Sequence, residues 1–91
     1  MGFTDYEKRR LCGAIATILS EDIDGVSVSV VSSRDWLFAL SCERGADLSL
    51  LDSFGIVLRD DRSWDSSSRN YSFTLSADSF GKILRYVVPN N

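Results

Sequence analysis

Val26-Ser27-Val28-Ser29-Val30 alternates apolar and polar residues without a break. Successive side chains on a strand point to opposite faces, so this pattern requires a sheet with one buried face and one wet face. It also demands something apolar to cover the buried side. The preceding segment supplies it. Leu11, Ile15, Ile18 and Leu19 recur at helical spacing, with Cys12, Ala14 and Ala16 on the flanks. Thr4-Asp5-Tyr6-Glu7 reads as a capping box, and Asp5 and Glu7 suit the positive end of a helix dipole. The pattern predicts a helix over 4–20.

The remaining elements follow in sequence. Ser32-Ser33-Arg34-Asp35 reads as a hairpin connection, and Trp36 to Cys42 as a strand apolar on both sides, hence central. Asp47 to Gly55 favours a short helix, with Asp47 as N-cap and Leu48, Leu51 and Phe54 at helical spacing. Ile56 to Arg59 and Tyr71 to Leu75 are expected strands that pair antiparallel. Ser76 caps a final helix through Val87, with Phe80, Ile83, Leu84 and Val87 inward; a strand over 83–88 is the alternative. The fold class is therefore α+β: a small antiparallel sheet of about four strands between an N-terminal and a C-terminal helix, in the order α-β-β-(α)-β-β-α.

Ninety-one residues, 44% of them hydrophobic, form a single domain with one thin core. The net charge of −3 disfavours nonspecific contact with nucleic acid or anionic membrane, which needs clustered Lys and Arg. There is no histidine, which removes the commonest acid–base group and the commonest neutral metal ligand. Cys12 and Cys42 read as small buried hydrophobes, because two cysteines can neither make a zinc site nor mark a disulfide scaffold. No glycine-rich phosphate loop is present, and no serine has a base beside it. The expectation is a non-enzyme without cofactor or metal. The acidic N-terminus lacks a signal-peptide pattern, so the chain reads as cytoplasmic.

What remains is the polar run from Arg59 to Asn70, long for so small a domain and carrying a single indole, Trp64. Asp60, Asp61, Arg62, Trp64 and Asp65 combine an aromatic anchor with charge, a composition frequent at protein interfaces. Against this stands the blander alternative of an indole folded back onto the core among solvated turn aspartates. A calcium loop is disfavoured, because Arg62 and Trp64 interrupt the ligand spacing and no closing Glu follows. Glu21, Asp22 and Asp24 form a second acidic cluster, and Arg34 with Asp35 marks the first hairpin tip. If both hairpin tips share one end of the sheet, they make a mixed-charge binding edge.

These features point to a small acidic protein-binding module that blocks a partner's functional, basic and nucleic-acid-binding surface. Phage-encoded inhibitors of host defence of the anti-CRISPR type and immunity proteins are of this size and character. The expected partner is another protein, with no direct nucleic acid and no membrane. One alternative is a nucleic-acid-binding or regulatory domain using Lys8, Arg9, Arg10 and Arg85 with exposed aromatics for stacking. Another is an oligomerising scaffold, a homodimer through an edge strand or the 83–88 face.

Overall fold

A computed structural model describes residues 2–60 and 68–88. Helix α1 spans Asp5–Asp22 and is followed by strands β1 (Val26–Ser32) and β2 (Leu37–Glu43). The short helix α2 (Ser49–Ser53), strand β3 (Arg59–Asp60), strand β4 (Ser68–Thr74) and helix α3 (Ala77–Val87) complete the order. All strand pairs are antiparallel, and the sheet order is β1-β2-β4-β3, so β2 is central as its sequence implies.

The start of α1 is the expected capping box. Thr4 Oγ1 accepts the Glu7 amide at 3.1 Å, and Glu7 Oε1 accepts the Thr4 amide at 2.9 Å. The Thr4 amide, and secondly the Thr4 hydroxyl, hold the Glu7 carboxyl below its ordinary range. The helix buries Cys12, Ile15, Ala16 and Leu19. On the sheet, Val28, Leu40 and Tyr71 form one inward row, and Phe38 and Phe73 pair in the next. The Phe38 and Phe73 rings stack with centroids 5.0 Å apart and planes 9° from parallel. Helix α3 adds Phe80 and Ile83 to the same core, and the α2 segment adds Leu51, Phe54 and Ile56. Both cysteines are buried and free; desolvation pushes the Cys12 thiol up.

Trp36 departs from the strand expected of it. It is the last residue of the hairpin turn, with φ at 54°, and β2 begins at Leu37. A bulky residue in the left-handed region costs about 1–2 kcal/mol. The offset is packing: the indole is 8% exposed, and its centroid lies 6.0 Å from Phe3 and 5.6 Å from Phe80. Leu75 donates its amide to the Trp36 carbonyl, tying the turn to the end of β4.

Four other expectations shift. The helix at 49–53 is N-capped by Leu48 rather than Asp47; the Asp47 carboxylate accepts the Ser49 amide at 3.0 Å, outside the helix proper. The strand expected at 56–59 is only Arg59–Asp60: Ile56 is drawn into the core while Val57 is 79% exposed. Ser68, Arg69 and Asn70, assigned to the polar loop, are strand, because they ladder with Glu43, Cys42 and Ser41. Backbone pairing to a central strand needs no apolar side chain at its end. Leu84 and Val87, expected inward on α3, are 43% and 40% exposed, since the inward stripe of α3 is filled by Ser79, Phe80 and Ile83.

Candidate protein-binding surface

The register divides the sheet into two ends. At one, Leu37 pairs with Thr74 and the chain turns through Ser33 to Trp36; at the other, Glu43 pairs with Ser68. Six residue steps separate them, about 20 Å. Arg34 and Asp35 are at the first end. Asp60 pairs with Tyr71, which pairs with Leu40, so Asp60 lies midway between the ends, while Ser68 opens β4 at the second. The mixed-charge edge expected from both hairpin tips involves Arg62 and Asp65, which lie outside the described residues. The Asp35 amide and carboxylate both bond Ser32 Oγ, which gives that residue a turn-stabilising role. Asp61, Arg62, Trp64 and Asp65 lie outside the described residues.

The acidic turn after α1 is at the second end. Gly25, at φ 76°, accepts the Glu43 amide, and Val26 pairs with Cys42. The positive φ calls for glycine here, and a Cβ would stand 3.1 Å from Glu43 Oε2. Glu21, Asp22 and Asp24 are exposed beside this turn. Asp22 and Asp24 line a shallow depression of about 230 Å³ together with Asp47, which sequence reasoning assigned only to a helix cap. The Asp47 carboxyl is held below its ordinary range by the Ser49 amide. Asp22 Oδ2 accepts the Tyr86 hydroxyl at 2.7 Å, which raises the phenol's pKa and ties the end of α3 to the end of α1. Among the described residues, no group of three acidic or cysteine side chains is arranged to hold a metal ion.

Next to it lies a depression of about 360 Å³ lined by Glu43, Arg44, Leu48, Arg69 and Tyr71 among others. Sequence reasoning missed it because Arg69 was counted as loop. The alternation Arg69, Tyr71, Phe73 is its signal: once 68–70 is strand, Arg69 falls on the helix-covered face. Both depressions are shallow and open to solvent.

The sheet face away from the helices presents Ser27, Ser29, Ala39, Ser41, Asn70, Ser72 and Thr74, none of them buried. Among the described residues this face offers no aromatic for stacking bases. The basic residues of the nucleic-acid-binding alternative are on helices: Lys8, Arg9 and Arg10 on α1, Arg85 on α3. Arg10 is turned back onto Tyr6, bonding its hydroxyl at 3.1 Å.

The edge strand β1 is guarded. Ser20 Oγ accepts the Val28 amide at 2.8 Å and lies 3.3 Å from the Val28 carbonyl, occupying the groups an added strand would need. Residues 83–87 are helix, which removes them as a pairing strand. No described helix is long and apolar enough to cross a membrane. No protein-family model matches the chain, and neither a curated protein nor a solved structure matches it significantly.

Proposed function

We propose that the chain is a protein-binding module that acts by occupying a partner's functional surface, using the charged end of the sheet. The observation that carries this reading is the acidic end itself: Glu21, Asp22 and Asp24 stand exposed beside the turn that bonds Glu43, and Asp22 and Asp24 share a depression with Asp47. The sequence adds Asp60, Asp61, Arg62, Trp64 and Asp65 as further interface candidates. Such carboxylates favour a basic partner surface, of the kind that holds nucleic acid. Opposite charge speeds encounter, and an aromatic anchor slows release. Inhibition of a host defence system or neutralisation of a toxin, in the cytoplasm, fits such a mechanism. No catalytic group enters it.

The test is affinity capture from host lysate, which should return one stoichiometric basic protein. Against that partner, Trp64→Ala should weaken binding at least about tenfold, or about 1.4 kcal/mol, with the thermal transition unchanged. Unfolding of the variant would make the indole structural and remove it from the surface. Asp60→Lys with Asp61→Lys should slow association and flatten its salt dependence. An unchanged rate would take both out of the interface.

A further inference from the structure

The larger depression at the same end has the opposite character. Its walls are Arg44, in the turn after β2, and Arg69, on β4, beside the half-buried Tyr71; Leu48, packed on the core, forms part of its floor. Neither guanidinium forms an ion pair among the described residues. Two arginines without an ion pair among the described residues, with a tyrosine and a leucine beside them, make a poor structural arrangement and a good receptor for an anionic group. Glu43 also lines the depression, but its carboxylate leans onto Gly25, across the sheet. Two guanidiniums and one carboxylate leave one net positive charge, which matches a monoanion better than a dianion. Arg presents a planar fork suited to a carboxylate, and Leu48 suits an apolar neighbour.

We infer that this depression seats a carboxylate, an Asp or Glu side chain next to an apolar residue on the bound protein. The partner surface then has an acidic residue beside its basic ones, and the two depressions fix its orientation as a two-pronged plug. The carrier's identity rests on the protein-binding reading; the receptor itself does not.

The full chain, labelled with nitrogen-15, is titrated with the capped dipeptide acetyl-Leu-Glu-amide. The Gly45 and Ala46 amides and the Arg44 and Arg69 Nε–H signals should shift saturably, with a millimolar midpoint. Acetyl-Leu-Gln-amide should shift them at least about fivefold less at equal concentration. Arg69→Ala should raise the midpoint at least about fivefold and Arg69→Lys by less, because the fork is lost while the charge stays. Arg44→Ala, in a turn outside the sheet, gives the same reading should the β4 variant fail to fold. Linear shifts, equal response to the Gln peptide, or tighter binding of inorganic phosphate would each overturn the inference. A failed titration leaves partner capture standing. A failed capture leaves the titration standing.

Discussion

The two ends of the sheet spend their side chains differently. At the first-hairpin end, Phe3, Trp36 and Phe80 close over the core with ring centroids 5.6 to 6.0 Å apart, and Asp35 is bonded into its own turn. At the other end, Asp22, Asp24, Asp47, Glu43 and two arginines line open depressions. The first end converts aromatic area into stability, even at the expense of a strained backbone at Trp36. The second carries charge that contributes little to folding, since exposed charges are worth little there.

This contrast can be broken by mutation. The largest loss should come from the core between the ends: Phe38→Ala removes a fully buried stacked ring and should cost about 3–5 kcal/mol in urea denaturation. Trp36→Ala should cost somewhat less, about 2–4 kcal/mol, through lost packing at the edge of the core, with the left-handed strain kept because Ala retains a Cβ. A cost near zero would mean the aromatic end is not what holds the first hairpin. Ser20→Ala should cost about 1–2 kcal/mol by leaving the Val28 amide unmet, and should produce concentration-dependent association by light scattering. A strictly monomeric variant would show that Ser20 does not guard the edge. Thr4→Ala should cost about 1 kcal/mol in the same denaturation, through loss of the cap.

The smallest effect is in pH. Glu7 and Asp47 both have folded-state pKa values below their ordinary range. Their contribution is complete above that range and is lost as pH falls through the lower folded values, so stability should decline on acidification below about pH 4. In Thr4→Ala the Glu7 part of that decline should shrink, while the Asp47 part stays.

Much of the fold was legible because its signals are local. The capping box, the 26–30 alternation and the Ser76 cap each specify their element without help from distant residues. The Ser76 hydroxyl accepts the Ser79 amide at 3.1 Å as its position implies. The failures came where tertiary context decides. Trp36 looks like strand until its ring finds Phe3 and Phe80. Arg69 looks like loop until Cys42 pairs with it. Val57 looks buried until Ile56 takes the inward place. The candidate site was less legible than the fold for the same reason: which acids share an end depends on strand order. The pairing of Arg44 with Arg69 across one depression has no trace in sequence spacing.

The most direct test compares the two ends in one assay. Partner capture is quantified for Glu21→Lys with Asp24→Lys, exposed residues of the charged end, and for Arg34→Glu at the opposite hairpin. The account predicts that the first variant loses at least about tenfold in retained partner while the second retains it. Full retention by the first with loss in the second would place the binding surface at the wrong end and contradict the account.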